Sequence, residues 1–289
     1  MSTAKQYKSA TSFRAALESR LNKSAVESGT DVQRLRREVA FDRLLARLFH
    51  DNSKSTWTLK GGYAMELRMD IARATRDIDL SLTKPASGGH TSLKAEMYRD
   101  LLQGAAGKGL GDFFVYLIGS ATLDLDGPPY AGFRYPVEAR MDGRTFARFH
   151  LDIGIGDVAL EPLEAVKSKE WLSFAGIYDG AFRAISKEQQ FAEKYHAYTL
   201  PRKERPNSRV KDLIDLVLLI TSGNLNILRT NDALVKTFGR RKTHELPPTV
   251  PLPPENWQKP FEAMAQECQV NKDMLLAVEI VSKFMQSLT

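Results

Sequence analysis

Cysteine and long apolar runs are what this sequence has least of. Its 289 residues include one cysteine, Cys268, which excludes an internal disulfide and a metal site built from several thiolates. No apolar run approaches the roughly 20 residues needed to cross a bilayer, and residues 1–13 lack the apolar core of a secretory signal. We therefore expect a cytoplasmic protein with no membrane partner.

Positive charge is in moderate excess. The chain has 41 Lys and Arg against 35 Asp and Glu, a formal net charge of +6. Such an excess favours polyanionic partners such as nucleic acids and nucleotides, although a basic stretch can equally be a solvated loop. The candidate RNA-binding residues fall in two clusters, Arg202, Lys203, Arg205, Arg209 and Lys211 in one and Arg240, Arg241 and Lys242 in the other.

Hydrophobic periodicity divides the chain into a mixed half and a helical half. Apolar spacings of three and four predict two helices within residues 12–50, and alternation predicts strands. The expected strands are 56–59, 77–82, 113–118, 130–140 and 145–155. From about residue 161 the pattern becomes helical, with the clearest helices at 186–200, 209–222 and 272–288. The fold class is therefore α+β, with a catalytic lobe over residues 1–160 and a mainly helical lobe over residues 161–289 that completes the active-site cleft.

The strand 77–82 carries two acidic residues. Asp77 and Asp79 are two residues apart, so they project side by side from one face of the strand. Adjacent carboxylates repel each other unless a cation neutralises them, and Mg²⁺ prefers carboxylate and phosphate oxygens. The pair therefore suits a metal–nucleotide site. The alternative is a solvated strand whose acids pair with Arg73 or Arg76.

A double glycine precedes this strand. Gly61 and Gly62 stand between a short strand and a short helix, where backbone N–H groups can approach a phosphate closely. A glycine turn, a helix and an Asp-x-Asp strand in this order resemble the DNA polymerase β-like nucleotidyltransferase superfamily. The resemblance implies that the glycines, with Arg76, bind the nucleotide and that Asp77 and Asp79 bind Mg²⁺ or Mn²⁺.

A third carboxylate is available on a later strand. Residues 149–153 alternate, which places Asp152 on the face opposite its apolar neighbours. The resemblance to the superfamily implies that Asp152 is a third metal ligand and helps to position the attacking hydroxyl. Tyr63 stands where many superfamily members have serine, so phosphate contacts are left to backbone amides.

Two later segments narrow the family. Residues 193–197 (EKYHA) and 209–216 (RVKDLIDL), together with 73–80 (RATRDIDL), resemble the AbiEii-type nucleotidyltransferase toxins of toxin–antitoxin and phage-defence modules, which include the mycobacterial MenT toxins. The resemblance runs from about residue 30 to the C-terminus. It implies that Lys194 binds the nucleotide phosphates and that Asp212 completes the active site. Asp215 lies on the same side of the helix and is the alternative to Asp212.

This resemblance implies a specific activity. A nucleoside monophosphate would pass from an NTP, CTP or UTP, to the 3′ end of an RNA such as tRNA, which would block translation. The implied protein partner is an AbiEi-like antitoxin. Two alternatives remain: an acceptor that is a protein hydroxyl or a small molecule such as an aminoglycoside, and a non-enzymatic binding protein. Clustered carboxylates, which core packing does not require, argue against the second.

Overall fold

A computed structural model describes residues 6–51, 56–69, 71–82, 91–124, 131–178, 180–201 and 209–288. The helices in these ranges are α1 (Ala10–Ser28), α2 (Val32–Leu48), α3 (Gly61–Arg68), α4 (Thr91–Ala106), α5 (Lys187–Thr199), α6 (Val210–Ser222), α7 (Ile227–Arg241), α8 (Gln258–Glu267) and α9 (Met274–Gln286). The strands are β1 (Trp57–Lys60), β2 (Asp77–Leu82), β3 (Phe114–Ile118), β4 (Leu123–Asp124), β5 (Ala131–Met141), β6 (Arg144–Ile155), β7 (Glu164–Lys167) and β8 (Ala181–Ala184). None of the helices in the described ranges is long and apolar enough to span a membrane.

The two N-terminal helices are confirmed, and local capping sets their ends. Ser9 accepts a hydrogen bond from the Ser12 N–H at the start of α1, and Asp31 accepts one from the Gln33 N–H at the start of α2. Each cap satisfies a helix N–H that has no partner within the helix. Gly29 ends α1 in the left-handed conformation, which a residue without Cβ adopts at low cost.

The strands form one mixed sheet in the order β3-β5-β6-β2-β1-β8-β7, with β4 paired to β5. β2 runs parallel to β6 and β1 parallel to β8, whereas β1–β2, β3–β5 and β5–β6 are antiparallel. One face packs into a core that fully buries Ile78, Leu80, Leu151 and Ile153. The α+β class is confirmed, as are the strands expected from alternation.

The segment after residue 161 differs from expectation. It was expected to be helical, but β7 and β8 add two strands to the sheet, and β8 pairs with β1 at Leu59 and Ala184. The expectation is wrong for this segment because pairing within the sheet, and not a local period, determines these two strands. Their strand conformation is stabilised by pairing with a strand that is distant in the chain.

The chain forms two compact units. The first comprises Met1–Leu67, Ala74–Gly156 and Ala165–Ala184, and the second Arg68–Arg73, Asp157–Glu164 and Ile185–Thr289. In the second unit α5 packs against α6 and α7, and α6 packs against α8 and α9. Its core includes Phe191, Tyr195 and Leu216, all fully buried. The three helices expected after residue 186 are confirmed to within two residues at each end.

Candidate active site

The paired aspartates lie on one face of the sheet in the first unit. Parallel pairing sets Asp77 opposite His150 and Asp79 opposite Asp152. Because residues in register project to the same face, the three carboxylates share that face, while Ile78 and Leu80 point into the core. The structure thus brings Asp152 beside the Asp-x-Asp pair.

Arg134 on β5 lies among these carboxylates. Its Nε and Nη2 donate to Asp152 at 2.8 and 2.6 Å, and Nη2 lies 3.6 Å from Asp77 Oδ2. The hydrogen bonds to Asp152 and the charges of Asp152, Asp77 and Asp79 outweigh partial burial and raise the pKa of Arg134. The guanidinium therefore neutralises part of the repulsion that a cluster of carboxylates creates.

Sequence reasoning missed Arg134 and His150. His150 Nδ1 lies 3.3 Å from Asp77 Oδ1, and Arg134 occupies an outward position between the buried Phe133 and Tyr135. Alternation alone shows that both residues face outward. It does not show which residues of the neighbouring strands lie beside them, because register depends on pairing between distant segments.

Gly61 contacts the carboxylate of Asp79. It opens α3 with φ +68°, and a Cβ built on it would lie 1.9 Å from Asp79 Oδ2. Both the left-handed backbone and the carboxylate therefore require glycine at this position. The helix was expected to begin at Tyr63 but begins at Gly61, so Asp79 sits at the N-terminus of α3, where helix N–H groups point outward.

Tyr63 has a structural role. Its ring is fully buried and its hydroxyl donates to Asp42 Oδ1 at 2.6 Å and to the Glu38 carbonyl at 3.1 Å. Burial and the neighbouring Asp42 raise its pKa well above the ordinary value. The hydroxyl is therefore used within the core, in keeping with the expectation that phosphate contacts at this turn come from the backbone.

The residues of this face fit a divalent cation in the type of their donor atoms. Asp77, Asp79 and Asp152 supply the hard oxygen donors that Mg²⁺ prefers. In the described part of the chain no three His, Cys, Asp or Glu side chains converge closely enough to share one ion. On this face both carboxylate oxygens of Asp152 accept hydrogen bonds from Arg134, at 2.8 and 2.6 Å.

The second unit contains a buried ion-pair cluster. Lys194 Nζ on α5 donates to Asp212 Oδ1 at 3.0 Å and lies 2.8 Å from Asp215 Oδ2, both on α6. Burial lowers the pKa of Lys194, but the charges of Asp215 and Asp212 outweigh it and raise the pKa. Lys194 is thus held as a cation between Asp212 and Asp215.

Arg73 completes this cluster. Its Nε and Nη2 donate to the two oxygens of Asp215 at 2.9 Å each. Burial raises the pKa of Asp215, whereas Lys194 and Arg73 lower it by a larger amount. Asp215 is saturated by these cations, but Asp212 keeps one oxygen, Oδ2, that is buried and accepts no hydrogen bond from the described residues.

The candidate RNA-binding residues differ in exposure. Arg240 and Lys242 are exposed at the end of α7, whereas Arg241 is 10% exposed and lies 3.0 Å from Asp157 and 3.7 Å from Glu193. Arg209 and Lys211 lie half-buried at the start of α6. Arg202, Lys203 and Arg205 fall outside the described residues.

A mixed sheet that carries paired carboxylates, next to a helix that begins at a glycine, is the arrangement of a nucleotidyltransferase. The sequence profile of the AbiEii nucleotidyl transferase toxins, which belong to type IV toxin–antitoxin systems, matches residues 43–279. The chain therefore belongs to this family of toxins and is a nucleotidyltransferase, which confirms the family expected from the motifs.

A solved toxin structure shows the same fold. MenT4, a nucleotidyltransferase toxin from Mycobacterium tuberculosis, matches with a TM-score of 0.62 and 16% identity, over 94% of this chain and 89% of its own. JHP933 from Helicobacter pylori matches with a TM-score of 0.46 and 14% identity, over 87% of this chain and 91% of its own. No curated protein matches this sequence.

Proposed function

We propose that this enzyme transfers a nucleoside monophosphate from an NTP, CTP or UTP, to the 3′ end of an RNA, with tRNA as the expected acceptor, and thereby blocks translation. The observation that carries the proposal is the placement of Asp77, Asp79 and Asp152 on one sheet face beside the N-terminus of α3. A toxin of a type IV system has an antitoxin partner, and we expect an AbiEi-like protein in that role.

The residues of the first unit have separate tasks in this proposal. The backbone of Gly61 and Gly62 binds phosphate oxygens together with Arg76, which is exposed next to Asp77. Asp77, Asp79 and Asp152 hold Mg²⁺ or Mn²⁺, which when bound offsets charge on the reacting phosphate and on the entering and leaving oxygens. Asp152 also orients the acceptor hydroxyl.

In the second unit, Lys194 binds the nucleotide phosphates and Asp212 completes the site. The pairing within the cluster supports Asp212 over Asp215. Both oxygens of Asp215 are bound by Arg73, whereas Asp212 Oδ2 accepts no hydrogen bond from the described residues. A buried carboxylate oxygen without a donor has capacity for a further partner.

The test is incubation with total RNA, Mg²⁺ and each α-labelled NTP in turn. Label should enter RNA of tRNA size with CTP or UTP and should be absent with Asp79→Ala. Asp232→Ala is the matched control, since Asp232 is a surface carboxylate on α7 paired with Lys236. Label in protein or small molecules but in no RNA would reject the proposed acceptor in favour of the alternative, and label that persists with Asp79→Ala would reject the metal ligands.

The basic segment tests the acceptor separately. Replacing Arg202, Lys203 and Arg205 by Ala should abolish RNA modification while hydrolysis or transfer to small acceptors persists, because only a polyanionic acceptor needs these charges. RNA labelling at the wild-type rate in this variant would remove the main sequence support for RNA.

A further inference from the structure

A cavity of about 740 Å³ opens beside Asp77 in the first unit. In-register residues of the carboxylate-bearing face form much of its floor. His150 lies opposite Asp77 on one side and Pro136 on the other, and in the next row Glu138 lies between Arg148 and Leu117. The cavity is therefore continuous with the candidate metal face and extends from it along β5 and β6, away from the row that contains Asp79.

The cavity is lined by cations that have few partners of their own. Arg37 on α2 is half-buried, its Nε is shielded from solvent, and it forms no hydrogen bond or ion pair with another described residue. Arg76, which also lines the cavity, is exposed and likewise forms no hydrogen bond or ion pair with another described residue. A guanidinium that loses water without gaining an acceptor costs free energy. An anion in the cavity would supply the missing acceptor.

The acidic residues do not cancel this charge. Arg148 lies 3.4 Å from Glu138 but its side chain is 72% exposed, so the pair is weak. Glu138 also accepts from Arg140 and Thr145. These hydrogen bonds and the neighbouring arginines compensate the charge of the Glu138 carboxylate. The guanidinium groups of Arg37 and Arg148 therefore keep donors that can bind phosphate oxygens in the planar geometry that arginine favours.

We propose that this cavity binds a phosphodiester of the acceptor RNA strand, through Arg37 and Arg148, next to the carboxylates that receive its 3′ end. The inference rests on the proposed function. The phosphates of the NTP are expected at Gly61 and Gly62 beside Asp79, and neither glycine lines the cavity; of the residues proposed to bind the NTP in the first unit, only Arg76 does. The apolar surface of Leu117 and Pro136 suits the sugar and base of a nucleotide unit rather than a free triphosphate.

The first measurement is equilibrium binding of a labelled RNA with a 3′-deoxy end, without NTP, over a range of KCl concentrations. Arg37→Gln/Arg148→Gln should bind about 10- to 100-fold more weakly, the loss expected for charge-assisted hydrogen bonds. The slope of log K against log salt should fall by about one for each phosphate that the variant no longer binds. Arg148→Gln alone, at an exposed position, should show the smaller part of this loss if the double variant folds poorly.

The matched control for Arg148→Gln is Arg99→Gln, which removes one positive charge from α4, where Arg99 pairs with Glu96 and Asp100 outside the cavity. It should bind RNA as wild type does. The KM for NTP should stay unchanged in the double variant while the KM for RNA rises. A higher KM for NTP with unchanged RNA binding would assign the cavity to nucleotide phosphates, and no change in either would show that it is not an anion site.

The two proposals fail in different ways. If wild type labels RNA and the double variant keeps the wild-type KM and salt slope, the cavity inference is overturned and the proposed function stands. If wild type labels no RNA with any NTP, the proposed function fails, and the binding measurement still decides whether the cavity holds RNA.

Discussion

The two units treat their carboxylates differently. In the first, Asp77 and Arg134 are each 31% exposed, so their contact is screened by water and can be exchanged at little cost. In the second, Asp215 is 1% exposed and is bound by both Arg73 and Lys194. Removing one partner from such a buried group leaves an uncompensated charge. Asp77 is therefore suited to binding and release, and Asp215 to holding Lys194 in place.

The largest expected effect is on activity in the first unit. Asp79→Asn should lower the transfer rate about 10³-fold, since a charge placed for the transition state is removed. The free energy of unfolding should change by less than about 1 kcal/mol, because Asn keeps the shape and repulsion from Asp77 falls. Initial rates and urea unfolding measure the two quantities. A rate within tenfold of wild type would contradict the role of Asp79.

The converse is expected in the second unit. Asp215→Asn should lower the free energy of unfolding by about 3–5 kcal/mol, because Arg73 and Lys194 keep their buried charges without their partner. Urea unfolding measures the change. Asp232→Asn is the control, since its pair with Lys236 at 2.8 Å is on the surface and should contribute less than about 1 kcal/mol. Equal losses of unfolding free energy in Asp215→Asn and Asp232→Asn would contradict the difference between a buried, paired carboxylate and an exposed one.

Two glycines of the first unit with the same backbone conformation separate the cost of backbone strain from the cost of a contact with Asp79. Gly61 and Gly29 have φ of +68° and +67°, but only Gly61 has the Asp79 carboxylate where a Cβ would lie, while Gly29 has open space. Substitution by Ala should cost about 1–2 kcal/mol at Gly29 from backbone strain alone. Gly61→Ala should cost more and should also reduce transfer, as urea unfolding and initial rates would show. The same cost at both positions would mean that Asp79 moves aside freely.

A further expected effect concerns the pH dependence of stability in the second unit. Burial, together with the charges of Arg241 and His244, lowers the pKa of His196 to about 3, against about 6.5 in an unfolded chain. Between these values the unfolded chain binds the proton and the folded one does not. The stability associated with the neutral ring is therefore complete above about pH 6.5 and decreases as the pH falls toward 3, by at most about 1.4 kcal/mol per pH unit.

The comparison of wild type with His196→Gln isolates this contribution from that of the carboxylates. The free energy of unfolding should fall less steeply from pH 6.5 to pH 4.5 in the variant, as measured by urea unfolding at each pH. Identical slopes would mean that the ring, whose Nε2 lies 2.8 Å from Thr243 Oγ1, accepts a proton in the folded state.

The local sequence pattern determined most of the secondary structure of this protein. The period of apolar residues predicted the helices, the longer strands and the side-by-side placement of Asp77 and Asp79, because each depends on neighbours in the chain. Motif order also indicated the family that the profile match confirms. The short strands β7 and β8 were not predicted, because pairing within the sheet and not a local period determines them.

Tertiary structure alone decided which charges meet. Asp152 lies opposite Asp79, and Arg134 reaches Asp152, because β6 pairs with β2 on one side and β5 on the other. Arg73 binds Asp215 although it stands only four residues before Asp77 in the sequence. Strand register and buried ion pairs depend on how distant segments pack. For this reason the sequence identified the carboxylates, and only the fold showed which of them are accessible to solvent and which are buried in ion pairs.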